Sequence, residues 1–321
     1  MVVVSILKPQ QPQQPQQSQQ PQQPQQPQQP QKLPQTACNA IHDILGLSPD
    51  QIDVIMSLVS LPENGSSKWW KFYNYIEYGD DASIRGFTTT IFGATTGTGS
   101  LLKVFDALAT IDPKHPLLKY HAAMRKAKGG TIKGLEGCGD PTKAKANYAS
   151  YTPDDRSHLD HIQGDLATIS NTDISWQRAV WQAFIELNWK SAADFCAKTN
   201  ACASRPGPVL TTPLAKGYIV DMSLNHGDAR YWNDADTWTC VWKEMKNQHA
   251  TDEKKWLRDF IRARRIVLQS GYAGLDWSKT GDRCLLWLDL LKKNNDQLRR
   301  PLHVPESTAK PYPIWTSGLV I

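Results

Sequence analysis

Apolar residues along most of this chain recur every three or four positions, which predicts a mainly helical protein. Ser48-Pro49-Asp50 is typical of a helix start, and Ile52, Ile55, Met56 and Val59 then follow at helical spacing. The same spacing predicts further helices at 100–108, 117–124, 176–195, 253–268 and 285–291. The helices at 176–195 and 253–268 have the strongest inward stripes and should supply much of the core.

The stretch from Leu61 to Phe105 contains several different patterns in succession. The helix that begins at Pro49 is expected to end just before Pro62, which places Glu63 at its C-terminal end. Trp69, Phe72, Tyr73 and Ile76 then share one face of a predicted helix over 69–77.

An acidic turn at Asp80 and Asp81 and an Arg-Gly pair follow that predicted helix. Residues 87–92 alternate as a β-strand would, and a glycine-rich loop at 93–99 opens the next helix at Ser100. The loop lacks the Gly-Lys-Ser/Thr ending of a phosphate-binding loop, so a nucleotide site is weakly supported. Its glycines more simply allow close approach of the backbone to a neighbour or ligand.

Two carboxylates stand on either side of the aromatic segment. Asp81 lies 18 positions after Glu63, so turns at the two ends of the intervening element could face each other across a groove. A pair of opposed carboxylates is the minimum equipment for cleaving a glycosidic bond, one acting as acid and the other as base or nucleophile.

The motifs LPENGSS, YIEYGDDASIRGFT and TTGTGS, in this order, resemble the inverting chitosanases of glycoside hydrolase family 46. Weaker similarity continues to about Leu302, and the chain looks most similar to the enzymes of large viruses that infect chlorella-like algae. The resemblance implies an α+β, mainly α, two-lobed lysozyme-like fold, with a small β-element in one lobe and a cleft between the lobes. It also implies endo-cleavage of β-1,4 bonds in chitosan with inversion and without cofactor or metal.

The resemblance assigns roles by motif position. Glu63 corresponds to the general acid, Asp81 to the general base and Thr88 to the residue that positions the attacking water. The supporting ion network corresponds to Asp221, Arg264 and Arg283. The positions implied in substrate binding are Arg85, Glu77, Gly97, Thr98, Ser100 and His226.

Two departures from the family pattern affect these assignments. Ala82-Ser83-Ile84 replaces what is commonly a single glycine, which leaves Asp80 and Asp81 both open as the base, with Asp81 preferred for its distance from Glu63. Ser100 stands where an aspartate often contacts a glucosamine amine, so preference for the free amine should be weaker.

The residues themselves also indicate a buried ion pair. Asp221 lies among Ile219, Val220, Met222 and Leu224, and an aspartate buried there without a partner would be costly. Arg264, near the edge of an inward-facing helical stripe, and Arg283, just before the last helix, are the candidate partners. His226 and Glu77, each taken alone, are more often structural than catalytic.

Charge and cysteine content narrow the function classes. The net charge is +5, yet residues 63–81 carry four acids against two lysines, which suits a polycation. Nucleic-acid binding rests only on a cluster formed by Arg258, Arg262, Arg264 and Arg265. Six cysteines form no metal spacing; Cys196 and Cys202 could be bridged, although buried thiols fit equally well. The acids and histidines around residues 154–161 form no ordered metal motif.

Three parts are expected along the chain. Residues 1–37 form a tail of Pro-Gln-Gln repeats that cannot build a core and serves as a spacer or, alternatively, a docking segment. Residues 38–305 form the catalytic domain and 306–321 a C-terminal extension. No classical signal peptide or membrane-spanning run is found, and a monomer acting outside the cell on a glucosamine-rich wall, on or near a virus particle, is expected.

Two other functions remain open. A lysozyme or chitinase acting on acetylated wall glycans would share the fold and the carboxylates. A wall-binding protein without catalysis would use some of the 12 tryptophans to hold glycan, although packing alone is the more common use of tryptophan.

Overall fold

The structure is a computed structural model that describes residues 33–78, 87–95, 99–126, 162, 164–169, 171–198, 207–227, 237–270, 282–307 and 319–321. The predicted Pro-Gln tail lies almost entirely outside the described residues. Cys202, and with it the proposed bridge to Cys196, lies outside them too, as do the acids and histidines at 154–161. Within the described part, Cys38, Cys196, Cys240 and Cys284 are free thiols.

Helices make up most of the described chain, as the hydrophobic pattern predicts. They are α1 (Gln35–Leu45), α2 (Pro49–Asn64), α3 (Ser100–Ile111), α4 (His121–Lys126), α5 (Ile174–Phe184), α6 (Lys190–Lys198), α7 (Pro213–His226), α8 (Thr237–Glu244), α9 (Glu253–Gln269) and α10 (Arg283–Lys292). A turn of π-helix, Ile185–Trp189, joins α5 to α6. The helix predicted at 117–124 is split into a 3₁₀ helix, Pro116–Tyr120, and α4.

A small antiparallel sheet accompanies these helices, with the strand order β1 (Ile76–Tyr78), β2 (Phe87–Thr89) and β3 (Ala94–Thr95). Thr88 lies in the central strand, opposite Glu77 on one side and Thr95 on the other. The predicted strand at 87–92 is therefore only half right. Thr90 has a φ of 71°, a left-handed conformation that ends β2 and starts the turn into β3.

Helix α2 carries Glu63 to the site, and its two ends are fixed by local sequence. Ser48 caps the start by accepting from the Gln51 amide, while the Gln51 side chain accepts from the Ser48 amide. The prediction that the helix ends before Pro62 is wrong. The stop is Gly65, whose left-handed φ of 64° lets its amide bond to Leu61, so α2 includes Pro62 in its last turn.

The predicted helix over 69–77 is also wrong. Only Trp69–Lys71 forms a short 3₁₀ helix, and the chain then turns into β1. Asn171, from a distant segment, accepts from the Asn74 amide at 3.2 Å and donates to the Lys71 carbonyl at 3.0 Å. These contacts and the pairing of β1 with β2 outweigh the helical spacing of the aromatic side chains.

The core forms around two groups of elements. In one, α3 packs against α5, α4 and β3; in the other, α9 packs against α8 and α10, and α10 packs against α7. The continuous helix from α5 through α6 contacts both, since α5 lies on α3 and α6 lies on α7. The predicted mainly α, two-lobed fold with a small β-element is thus confirmed.

Tryptophan is chiefly a packing residue in this core. Among the tryptophans that the structure describes, seven are fully buried, namely Trp69, Trp176, Trp181, Trp189, Trp238, Trp256 and Trp287. Trp69 packs edge-on against Trp181, and its indole donates to Asp53 at 2.8 Å. These seven side chains are therefore not available to hold a glycan.

No single helix in the described part of the chain is long and apolar enough to cross a membrane. Taken together, α1 and α2 have the length and composition of a membrane span. However, the two helices are bent by 95° to each other, and their apolar residues are largely buried in the core.

Candidate active site

Glu63 lies in a polar cleft where α2, the small sheet and the end of α7 meet. The cleft has a volume of about 180 Å³ and is lined by Val59, Glu63, Asn64, Tyr75, Thr88, Thr90, Ile91, Phe92, Gly93, Thr95, Leu224 and Asn225. The Glu63 side chain is 48% exposed, so its carboxylate is open to a ligand. Thr88, half-buried in β2, lines the same cleft. The structure therefore brings the predicted acid and the predicted water-positioning residue to one surface.

Behind Glu63, two arginines and one aspartate form a buried ion network. Asp221 Oδ2 accepts from Arg264 Nη1 at 2.7 Å, and Asp221 Oδ1 lies 3.1 Å from Arg283 Nη2. Arg283 Nη1 in turn donates to Glu63 Oε1 at 2.5 Å. Asp221 and both arginines are at most 1% exposed. The ion network therefore connects buried charges in the core to the exposed carboxylate of Glu63.

All three guanidinium nitrogens of Arg264 donate hydrogen bonds to side chains of α7. Besides Asp221, Nη2 donates to Asn225 Oδ1 at 3.0 Å and Nε donates to His226 Nε2 at 3.1 Å. Asp221 and Asn225 are four residues apart and therefore share a helix face. Arg264, which the sequence places near the edge of a helical stripe, has a fully buried side chain. Helix α9 can point a cation inward because α7 supplies an acceptor for each of the three guanidinium nitrogens.

Both buried arginines have a charged partner in the network. Burial lowers the pKa of Arg264, but Tyr218 and Asp221 raise it by more, so its net pKa lies above the ordinary value. Tyr218 is itself buried, which raises its pKa. With Glu63 ionised, the two arginines and the two acids carry no net charge. The network thus neutralises itself when the outer carboxylate has given up its proton.

Of the remaining predicted site residues, the structure describes three and leaves five outside the described residues. Ser100, the first residue of α3, accepts from the Thr95 amide at 2.8 Å, so its hydroxyl links the start of α3 to β3. His226 accepts from Arg264 Nε at 3.1 Å and is not among the described residues that line the cleft. Glu77 is placed by its backbone in β1, opposite Thr88. Asp80, Asp81, Arg85, Gly97 and Thr98 lie outside the described residues.

Asn225 is a cleft residue that the sequence reasoning missed. Its amide nitrogen lies 3.4 Å from Glu63 Oε1, the oxygen that also accepts from Arg283. The signal was present, since Asn225 follows Asp221 by one helical turn, and a residue on the same face as a buried acid is a candidate for the same network.

The described part of the chain also bears on metal binding and on nucleic-acid binding. No group of three or more histidine, cysteine, aspartate or glutamate side chains there could hold a metal ion. The basic cluster in α9 does not form one surface, because Arg264 points inward while Arg262 is exposed. Arg264 is therefore not available to an external anion.

Comparison with known proteins gives a consistent result. The sequence matches Glycosyl hydrolase family 46 over residues 57–162 and 151–302. A chitosanase of Bacillus subtilis (strain 168) is 26% identical over 81% of this chain and 83% of that protein. A chitosanase of Streptomyces sp. (strain N174) is 36% identical over 32% of this chain and 36% of that protein.

Solved structures agree at the level of the fold. The native chitosanase of Bacillus subtilis MY002 superposes with a TM-score of 0.59 and 23% identity, over 86% of this chain and 100% of that one. A mutant of that enzyme complexed with 6 GlcN superposes with a TM-score of 0.58 and 24% identity, over 84% of this chain and 100% of that one. Because the family match spans well over half of the residues, the chain belongs to glycosyl hydrolase family 46, as its motifs predict.

Proposed function

We propose that this protein is an endo-acting chitosanase, which hydrolyses β-1,4 bonds between glucosamine residues with inversion at the anomeric carbon. The observation that carries the proposal is the geometry of Glu63. It is an open carboxylate that accepts from the buried Arg283 and lines the same polar cleft as Thr88. Family membership and the chitosanase relatives support the reaction and the substrate class.

In the proposed mechanism Glu63 is the general acid. Its proton passes to the glycosidic oxygen as the bond from that oxygen to the anomeric carbon breaks. A water held by Thr88 adds to the opposite face of that carbon and gives its proton to Asp81. Glu63 is left as a carboxylate, and the Arg283 guanidinium at 2.5 Å stabilises the charge that it acquires.

Substrate preference is proposed to follow from charge in the cleft. The described lining contains the Glu63 carboxyl group and several neutral oxygens but no lysine or arginine, which favours a cationic glucosamine chain over a neutral acetylated one. Ser100 supplies no carboxylate, and its hydroxyl is bonded to Thr95. The acetylated-glycan alternative is therefore retained as an outcome of the substrate test.

The test is proton NMR of chitosan digestion, which identifies the first anomer released. An inverting enzyme acting on β-linkages releases the α-anomer first. Glu63→Gln and Asp81→Asn are each expected to lower turnover about 100-fold or more while polymer binding is kept. Equal rates on chitosan, chitin and peptidoglycan would overturn the substrate assignment, and a pure binder would show no turnover to lose.

Glu186→Gln is the matched control for Glu63→Gln. Glu186 is also a helical glutamate, 60% exposed and paired with Lys190, and it is not among the described residues that line the cleft. Its loss should leave turnover unchanged. If both glutamine variants lose turnover alike, the loss reports general destabilisation and the assignment of Glu63 fails.

The setting of the enzyme is proposed from the sequence. A glucosamine-rich cell wall outside the producing cell is the proposed target, and the resemblance to enzymes of chlorella-infecting viruses suggests delivery on or with a virus particle. The protein would act as a monomer without nucleic acid or membrane as partner. The Pro-Gln tail would serve as the spacer that holds the catalytic domain away from its carrier.

A further inference from the structure

Glu63 receives two donors on the same carboxylate oxygen, and they come from opposite sides of the buried network. Arg283 Nη1 donates to Oε1 at 2.5 Å, and Asn225 Nδ2 donates to the same oxygen at 3.4 Å. Both donors are connected to Asp221. Asp221 contacts Arg283 directly, and it pairs with Arg264, which in turn donates to Asn225. The five side chains close a ring that returns to Glu63.

The orientation of the Asn225 amide follows from hydrogen-bond chemistry. A guanidinium only donates, so the Asn225 atom that faces Arg264 at 3.0 Å must be the carbonyl oxygen. The amide nitrogen is then directed toward Glu63. Arg264 thus acts on Glu63 through Asn225, since it fixes which end of the amide the carboxylate meets.

We infer that Asn225 is a positioning residue for the acid, and that with Arg283 it determines which oxygen of Glu63 carries the transferable proton. An oxygen that accepts from two N–H groups is the acceptor oxygen of a protonated carboxyl group, and the hydroxyl forms on the other one. Oε1 accepts from both donors, so the proton resides on Oε2. The inference rests on the proposed role of Glu63 as general acid.

Asn225→Asp separates this role from a structural one. Aspartate keeps the oxygen that accepts from Arg264 and has nearly the same shape, but it replaces the N–H donor with a second acceptor. A residue that served only to satisfy Arg264 would tolerate this change, since a carboxylate pairs well with a guanidinium. A residue that orients Glu63 would not, because the Oε1 contact becomes repulsive.

The experiment compares kcat and KM on chitosan for wild type, Asn225→Asp, Asn225→Ala and Glu63→Gln, with urea unfolding of each. For Asn225→Asp we expect kcat to fall about 10- to 100-fold, as for other residues that orient a reacting group. Its KM and unfolding midpoint should stay close to those of wild type. Asn225→Ala should lose kcat similarly and also unfold earlier, because Arg264 loses an acceptor.

The outcomes separate the positioning role of Asn225 from the proposed function of the protein. If Glu63→Gln abolishes turnover and Asn225→Asp retains wild-type kcat, the positioning role is wrong while the proposed function stands. A fall in kcat of Asn225→Asp that only parallels a lower unfolding midpoint also overturns the positioning role. If Glu63→Gln keeps full turnover, the proposed function itself fails.

Discussion

Replacing Asp221 with asparagine tests whether the buried network stabilises the fold. The substitution keeps the shape of the side chain and removes the negative charge between Arg264 and Arg283, all of which are at most 1% exposed. Arg283 retains Glu63 as a charged partner. Arg264 keeps only the neutral acceptors Asn225 and His226, so its charge is the one left uncompensated.

Leaving one partner of a buried ion pair without the other costs roughly 3–5 kcal/mol. The asparagine carbonyl can still accept one N–H, so the expected loss lies at the lower end, about 3 kcal/mol. A loss of that size changes the folded-to-unfolded ratio by about two orders of magnitude. It should appear in urea unfolding as a lower midpoint with an unchanged slope, since no additional surface is exposed.

Asp289→Asn on α10 is the matched control. Asp289 pairs with Lys293 at 2.6 Å near the surface, with side chains 21% and 49% exposed, and such pairs contribute about 0.3–0.5 kcal/mol. The Asp221 variant should therefore unfold at a clearly lower urea concentration than the Asp289 variant. Equal midpoints for the two would refute the view that Asp221 compensates buried charge.

Two further changes test other parts of the fold. Burial raises the pKa of Glu253, but hydrogen bonds from Thr211 and Thr212 lower it by more, so its net pKa lies below the ordinary 4.5. The stabilisation is present above that ordinary value and disappears as pH falls through the lower folded pKa; Glu253→Gln should therefore be less stable than wild type in urea at pH 7, and the difference should shrink in acid. A difference that stays constant with pH would contradict the carboxylate's role. Gly217→Ala would place a Cβ 2.7 Å from Ile55 Cγ1 and 3.1 Å from Trp287 Cη2, and we expect about 1–3 kcal/mol of destabilisation. Calorimetry of Gly217→Ala, Ile55→Ala and the double variant measures it, because alanine at 55 removes the clashing Cγ1. If Gly217→Ala costs as much in the Ile55→Ala background as in wild type, overpacking against Ile55 is wrong.

The sequence alone determined those helices whose apolar face and terminal capping residues can both be recognised from neighbouring residues. Helix α9 spans Glu253–Gln269, close to the predicted 253–268, because its amphipathic spacing is strong and Asp252 caps its start. Helix α3 begins at Ser100 as predicted, because Gly99 takes a left-handed φ of 83° just before it. The need of Asp221 for a basic partner could also be read from the sequence, since an acid among aliphatic residues is costly unless paired.

Tertiary structure decided what depends on contacts between distant segments. The aromatic spacing at 69–76 is helical, yet Asn171 and the strand β2 hold this segment in turns and β1. Arg264 is fully buried because α7 supplies its acceptors, which no pattern within α9 reveals. Asn225 joins the site for the same reason: its role requires that Glu63 from α2 and Arg264 from α9 meet at the end of α7. Local spacing sets which faces are apolar, whereas only the packing of the helices sets which polar groups face each other.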